Sequence, residues 1–514
     1  MQIPAKITIA ICFVLVTTGL AAQNKSQLAR MLWHMYGDVS PLKPIYSGIT
    51  PVCDCEALKN IQIENSTISS ALVDTADGSC KVSIILNHPP ADDSVKIWIA
   101  LPLKNWNGRF QGIGGGGFLG GDPLYRTVAI EQGFAAGTTN TGHDGGSGSF
   151  ALDSGGRLNW QKIQDNAYLG IHDMTVVGKE LVKVFYGKQA KYSYFVGGSM
   201  GGRQGLSEAQ RFPEDYNGIF SSCPAVYGSQ IFTSGFWPQL IMKESNNYIS
   251  TQKFIAINKA VIEATDKYDG IADSIIGDPF NLKFDPKELV GKQIGGSEFT
   301  VTDAEVVRKI WQGAKTIDQK FIWHGLLPGA DMYFLAATKG NPAQGNPFPM
   351  FVDWVRYFLV SDPKWEPSSL TRKDFELLWR QAIEQYAEIY NTDNPDLSAF
   401  KDRGGKLIIF QGLTDQLIPP HGVIDYYKRV QAVMGGQKKT AEFARLFLLP
   451  GLDHGLNGPA PKPSNHFESL IRWVEDGRAP DSIMGELKDG SGKLIRSITY
   501  DHYVGVKTNA QVGK

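Results

Sequence analysis

The stretch Tyr192-Ser193-Tyr194-Phe195-Val196-Gly197-Gly198-Ser199-Met200-Gly201 decides how this chain is read. Tyr192 to Val196 is aromatic and apolar, as strands are, and Gly201 to Arg211 beyond it reads as a helix. A G-x-S-x-G motif between a strand and a helix reads as a nucleophile elbow, whose glycines permit a turn so tight that Ser199 Oγ projects from the sheet edge. The helix that follows offers backbone N–H groups and a positive dipole end there. The motif alone also fits an ordinary Gly-rich turn; the flanking strand and helix favour the elbow.

Outward from it, Ile97 to Val226 alternates short apolar runs, Gly-rich turns and amphipathic stretches, as parallel α/β units do. Asn166 to Tyr186 carries Leu169, Met174, Val177, Leu181 and Val184 at helical spacing. A second block begins with the strand Leu407-Ile408-Ile409-Phe410 and continues with Phe443 to Leu449. Between the blocks, residues 226–400 are rich in Pro, Asn and aromatics and hold six of the eleven tryptophans: Trp237, Trp311, Trp323, Trp354, Trp365 and Trp379. Such an insertion predicts a lid whose rings either wall a substrate pocket or form the lid's own core. The expected fold class is α/β, an α/β-hydrolase fold with a large inserted lid domain. Its segments are a signal peptide (1–22), the first hydrolase part (23–225), the lid (226–400) and the second hydrolase part (401–514).

A serine becomes a nucleophile when a histidine takes its proton and a carboxylate orients that histidine. In the order Ser, acid, His, the histidines that can follow an acid on the second block are His421, His454, His466 and His502. Asp415 lies just past the strand Leu407 to Phe410, and His454 just past the next strand, in Leu449-Pro450-Gly451-Leu452-Asp453-His454-Gly455. Both therefore reach the sheet edge that carries Ser199. His466 and His502 lack strand-end placement and His421 is on the wrong strand; Asp453 is the second choice of acid. Oxyanion donors are expected from the backbone of Gly116 or Gly117, in Gly114-Gly115-Gly116-Gly117 after the strand-like Phe110 to Ile113, and from Met200. A dinucleotide-binding reading of those glycines fails for want of a following helix and acidic residue.

At 514 residues, with 42 % hydrophobic and 20 % charged, the chain is globular. Lys plus Arg number 51 against 52 Asp plus Glu, net −1, with no basic block, which argues against nucleic acid as a partner. Lys6, the uncharged run Ile7 to Leu20 and the small Ala21 and Ala22 predict a cleavable export signal, since fourteen residues fall short of the ~20 that cross a bilayer. Cys12 follows Ile11, which does not suggest a lipid anchor. The expected location is secreted or periplasmic, without a membrane anchor. Four cysteines follow residue 22: Cys53, Cys55, Cys80 and Cys223. In an oxidising compartment a bridge from Cys55, or from its close neighbour Cys53, to Cys80 is expected, with Cys223 a buried thiol.

Asp266-Lys267-Tyr268-Asp269-Gly270-Ile271-Ala272-Asp273 packs three carboxylates into eight residues. Hard oxygens so close together, with a glycine for the turn, suit Ca²⁺, although the spacing is not that of an EF-hand and also fits a solvated acidic turn.

These motifs together resemble the tannase and feruloyl esterase family, to which hydrolases of mono(2-hydroxyethyl) terephthalate also belong. The resemblance rests on Trp106-Asn107-Gly108-Arg109-Phe110, Thr141-Gly142-His143, the stretch Gly197 to Pro224 with Gly202-Arg203-Gln204, and Pro450-Gly451 before His454. It implies Ser199, Asp415 and His454 as the triad and residues 226–400 as a lid. It further implies Asp266, Asp269, Ile271, Asp273 and Ile275 as ligands of a structural lid calcium, the isoleucines through backbone carbonyls. The family usually joins a cysteine before the nucleophile to one after the histidine. Here both positions are glycine, Gly198 and Gly455, and Thr265 and Leu282 stand where the lid often carries cysteines. Packing alone is therefore expected to hold Ser199 and His454 together. The resemblance implies a serine carboxylic-ester hydrolase acting on a small aromatic ester, feruloyl, hydroxycinnamoyl or galloyl, through an acyl-enzyme. A terephthalate-monoester hydrolase or an acyltransferase with the same triad are the alternatives; a binding protein on a dead hydrolase fold would need a broken triad. Arg356 is a candidate partner for a substrate carboxylate, or a member of a lid ion pair.

Overall fold

Apolar runs that stay buried on both faces make central parallel strands, whereas alternating runs make strands with one solvated face. Both kinds occur here. β1 (Ser66–Asp74), β2 (Ser79–Leu86) and β3 (Val95–Pro102) form antiparallel pairs at one side of a nine-stranded sheet. β4 (Arg109–Ile113), β5 (Ala135–Thr139), β6 (Tyr192–Gly198), β7 (Gly218–Ser222), β8 (Lys406–Gly412) and β9 (Ala444–Leu449) are buried almost throughout. The spatial order is β1-β2-β3-β5-β4-β6-β7-β8-β9, parallel from β5 onward. Ile97 therefore lies in an antiparallel strand, and the parallel units begin after it. The structure, a computed structural model, describes residues 36–37 and 42–505; the signal peptide expected at 1–22 lies outside these residues. No helix among the described residues is long and apolar enough to cross a membrane.

Register puts the strand ends level. Ile113 pairs with Val196, Gly198 and Phe410 both pair with Ser222, and Gly412 pairs with Leu449. The loops after β4, β6, β8 and β9 therefore leave one edge of an α/β-hydrolase sheet together. The helix expected over Asn166 to Tyr186 divides into a π-helical turn, Asp165–Leu169, and α1 (Gly170–Tyr186), which ends on left-handed Gly187. α2 (Met200–Arg211) follows the elbow. A helix near the C-terminus, His466–Asp476, is anchored to β4 by an ion pair in which Arg109 Nε and Nη2 each donate to Glu475 at 2.6 Å.

The chain leaves the sheet after Ser222 and returns at Lys406. Thr392 N donates to Val226 O at 2.8 Å, tying the two ends of this excursion together. Its helices include Gly228–Ser234, against which Arg372–Tyr390 packs, and Trp237–Glu244, which packs on Val301–Gln312. Trp354 is buried among Phe232, Phe358, Tyr386 and Tyr390, and Trp237 Nε1 donates to Lys309 O. These tryptophans build the inserted segment's own core.

Cys55 is bonded to Cys80, which fastens a 3-10 turn, Cys55–Asn60, to β2. Cys53 and Cys223 are free thiols.

Candidate active site

Ser199 sits where β6 ends and α2 begins, with φ 61° and ψ −122°. Such a conformation costs a non-glycine residue ~1–3 kcal/mol unless its surroundings fix it. Here Ser199 N donates to Ser222 O at 2.8 Å, and Ser199 O accepts from Arg203 N at 3.0 Å. The flanking glycines are required by close approach: a Cβ on Gly197 would lie 2.3 Å from Gly201 O, and one on Gly201 would lie 2.5 Å from Gly115 O. Ser199 remains half-buried, within reach of a ligand.

Asp415, fully buried, lies beyond β8 and His454 beyond β9. Asp415 Oδ1 accepts from Leu417 N at 2.9 Å and Ile418 N at 2.8 Å. Its Oδ2 accepts from Gln411 Nε2 at 3.1 Å and stands 2.9 Å from His454 Nδ1. Burial works against a charged imidazole, but the charge and hydrogen bond of Asp415 outweigh it and hold the His454 pKa above the ordinary histidine value. His454 Nε2 is buried without a hydrogen-bond partner. A neutral imidazole fixed at Nδ1 with Nε2 free to take a proton is what a general base requires.

The other histidine and acid candidates are occupied elsewhere. His421 stacks on His324 of the inserted segment, His466 lies against Phe220 and Phe410, and His502 bridges to Phe447. Asp453 Oδ1 accepts from Gly455 N and Asn457 N and shapes its own turn.

Among the four glycines, Gly114 N donates to Val196 O, Gly115 N to Gln204 Oε1, and Gly116 N to Leu119 O at 2.9 Å. Gly116 is therefore corrected as an oxyanion donor, because a short hairpin already uses its N–H. Gly117, in left-handed conformation at φ 59°, and Met200, whose N–H at the first helical position has no intrahelical acceptor, are left as donors.

The expectation that packing alone joins the loops is also corrected. Cys223 N donates to Phe410 O, Leu413 N to Leu449 O, Thr414 N to Leu452 O, and His454 N to Gln416 Oε1 at 3.0 Å. Hydrogen bonds lace the loops where a disulfide is missing. Gln204, quoted only as part of a motif, and Gln411 and Gln416 were given no role by the sequence reading, and their only signal was proximity to a motif. Cys223 is the buried thiol that was expected, and what the sequence did not give is its place close to Asp415 and His454, where burial pushes the thiol up.

Arg356 is corrected as a substrate ligand. Its Nε donates to Trp365 O at 2.7 Å and its Nη2 to Glu366 at 2.9 Å, an ion pair within the inserted segment.

In the acidic loop, Asp266 Oδ1 accepts from Asp273 N and Ser274 N, Asp269 from Ile271 N and Gly277 N, and Asp273 Oδ1 from Ile275 N. Asp273 Oδ2 also pairs with Arg496 at 2.7 Å. Ile275 is buried, with its side chain against Gly451 of the His454 loop.

The sequence matches the family described as tannase and feruloyl esterase over residues 80–497. A probable feruloyl esterase of Arthroderma benhamiae is 38 % identical over 428 residues, 80 % of this chain and 79 % of that protein. A probable feruloyl esterase B of Emericella nidulans is 30 % identical over 462 residues, 85 % of this chain and 84 % of that one. The crystal structure of feruloyl esterase B from Aspergillus oryzae superposes with a TM-score of 0.78 at 26 % identity, covering 88 % of this chain and 95 % of that one. The tannin acyl hydrolase from Aspergillus niger shares the fold, with a TM-score of 0.77 at 22 % identity over 87 % of this chain and 90 % of its own.

Proposed function

The chain belongs to the tannase and feruloyl esterase family and is a carboxylic-ester hydrolase acting on aromatic esters, and from that premise we propose that Ser199, His454 and Asp415 are its nucleophile, general base and orienting acid. His454 Nε2 takes the Ser199 Oγ proton as Oγ attacks the ester carbonyl carbon. The N–H groups of Gly117 and Met200 receive the oxyanion. As the tetrahedral intermediate collapses, His454 returns the proton to the leaving alcohol, and an acyl-serine remains. Water, deprotonated by the same nitrogen, then releases the aromatic acid. Asp415 keeps the Nδ1 proton in place and balances the imidazolium formed in each half-reaction.

One observation carries this reading: the 2.9 Å contact of Asp415 with His454, on loops leaving the sheet edge that also bears Ser199. The substrate class is feruloyl, hydroxycinnamoyl or galloyl esters, in keeping with a family described as tannase and feruloyl esterase. The chain is exported through its first 22 residues and works outside the cytoplasm.

A structural calcium ion fits the acidic loop. Three carboxylates and the carbonyls of Ile271 and Ile275 would supply hard oxygens, with Asp273 Oδ2 paired to Arg496. Asp266, Asp269, Asp273 and the two isoleucine carbonyls would hold it; bound calcium stiffens the loop and takes no part in the chemistry.

Initial rates on methyl ferulate, methyl gallate and a terephthalate monoester, with Ser199→Ala as control, test the proposal. Turnover that Ser199→Ala abolishes supports the triad and ranks the acids. Activity surviving in Ser199→Ala, or a folded protein that turns over none of the three, overturns it.

A further inference from the structure

The turn between β2 and β3 brings His88 and Asp93 against the π-helical turn at Asp165. One imidazole there meets three carboxylates. His88 Nδ1 lies 2.8 Å from Asp93 Oδ2 and 3.5 Å from Asp165 Oδ1, while Nε2 lies 3.2 Å from Asp173 Oδ2. Asp165 is fully buried and Asp93 is 4 % exposed. Among the described residues no lysine or arginine pairs with any of the three aspartates. Even a protonated imidazole leaves the group strongly negative, in surroundings where an uncompensated charge is costly.

A second observation points the same way. Asp165 Oδ1 accepts from Gln161 Nε2 at 2.8 Å, but Oδ2 is buried with no hydrogen-bond partner. Buried polar atoms in native proteins are satisfied, and one ligand atom from each of His88, Asp93 and Asp165 lies within 4.8 Å of the others. Asp93 Oδ1 is already oriented by His88 N at 2.8 Å, so its Oδ2 is the oxygen presented to the cluster.

We propose that His88 Nδ1, Asp93 and Asp165 bind a first-row divalent transition-metal ion of the Zn²⁺ or Mn²⁺ class, with Asp173 orienting the imidazole from its other nitrogen. Ligand atoms ~2.0–2.2 Å from an ion lie roughly 3.0–3.5 Å from one another, and the nitrogen–oxygen separations of 2.8 and 3.5 Å span that range. A metal-bound histidine ordinarily gives its other N–H to a carboxylate, and Asp173 Oδ2 stands on that side of the ring, 3.2 Å from Nε2, without a formed hydrogen bond. The imidazole selects a borderline ion over calcium. Entry is open through the partly exposed His88 and Asp173 side chains. Binding releases the Nδ1 proton, so affinity weakens as pH falls.

The ion would act on the ester site by holding a turn. Asn166, beside Asp165, donates through Nδ2 to Phe118 O and Thr141 Oγ1, both at 3.0 Å, and its Oδ1 accepts from Tyr390 OH at 2.9 Å. Phe118 directly follows the oxyanion donor Gly117, and Tyr390 ends the helix Arg372–Tyr390. The metal thus pins the turn on which the glycine loop and the inserted segment both lean.

The tag-free full chain, stripped with chelator and dialysed against Zn²⁺ or Mn²⁺ in excess Ca²⁺, is expected to retain about one transition ion. Asp165→Asn and His88→Gln lose it, Asp266→Asn in the acidic loop keeps it, and Asp173→Asn weakens it ~10–100-fold. Failure of the parent to retain an ion, or unchanged stoichiometry in Asp165→Asn and His88→Gln, overturns the proposal. Should those variants not fold, pulsed electron paramagnetic resonance on the Mn²⁺-loaded parent decides: imidazole nitrogen coupling supports the site, and an all-oxygen shell overturns it.

Discussion

The catalytic sheet edge and the acidic loop of the inserted segment both rest on carboxylates and use them in opposite ways. Asp415 is fully buried and takes donors from Leu417, Ile418 and Gln411, with His454 on the remaining side. A single charge so surrounded has one partner in one orientation. Asp266, Asp269 and Asp273 instead bind amides of their own loop, which is largely exposed. Asp266 and Asp269 fix their own turn, and Asp273 also reaches Arg496. The regions meet at Ile275, under Gly451 of the His454 loop. Changes at the edge should therefore register in rate, and changes in the loop in stability, with rate following only through Ile275.

The largest effect belongs to Asp415→Asn. It keeps the shape of the side chain but removes the charge that selects the histidine tautomer, so kcat should fall ~10⁴-fold with the fold intact by circular dichroism. A loss below tenfold would mean that Asp415 is not the acid. Next come paired glycine changes. Gly201→Ala places a Cβ 2.5 Å from Gly115 O and should displace an oxyanion donor, for a loss of ~10²–10³-fold in kcat. Gly270→Ala, at φ 88° with open space around the added carbon, should cost only ~1–3 kcal/mol of stability and leave the rate alone. Equal rate effects of the two substitutions would break the comparison.

The same contrast governs what the sequence disclosed. Ser199, Asp415 and His454 were legible because parallel topology puts every strand end at one edge, so a residue's place after a strand gives its place in space. The central strands were legible too, being uninterrupted apolar runs. The glutamines that align Asp415, His454 and Gly115 were not, since a side-chain hydrogen bond across loops leaves no periodic trace. Arg356 was legible only as a choice between a substrate carboxylate and a lid ion pair, and Glu366, ten residues on, decides for the ion pair. Gly116 and Gly117 are identical in sequence, and only the hairpin bond to Leu119 separates them.

A subtler effect concerns acidity. His454 must be neutral to accept the serine proton, and Asp415 raises its pKa against burial. The acid limb of kcat/KM should therefore have its midpoint above the ~6.5 of free histidine, activity falling as pH drops through it. In Asp415→Asn burial is opposed only by the lesser charge effect of Asp453, so the limb should move to lower pH. A parent midpoint at or below 6.5, or a limb unmoved by the substitution, would show that another group limits the rate. On the loop side, chelation of calcium should lower the melting temperature by roughly 2–4 °C. Ile275→Ala, which empties a buried site, should cost ~2–5 kcal/mol and also slow turnover severalfold. Chelation that stops catalysis without lowering the melting temperature would place the ion in the chemistry.

The smallest effect on rate should come from reduction, and it separates covalent from hydrogen-bonded support. The Cys55–Cys80 bond spans 25 residues and fastens a turn to β2, with β3, β5 and β4 between that strand and β6. A loop of that length stabilises by ~3 kcal/mol when closed, so reductant should lower the melting temperature. Catalysis at moderate temperature should persist, because Ser199, Ser222, Phe410, Leu449, Leu452 and Gln416 are joined to their neighbours by hydrogen bonds that a thiol cannot exchange. The glycines at 198 and 455 leave no disulfide between the loops of Ser199 and His454 to reduce. Activity lost before the melting temperature moves would mean that a thiol, with buried Cys223 beside Asp415 the first suspect, takes part in holding the catalytic pair.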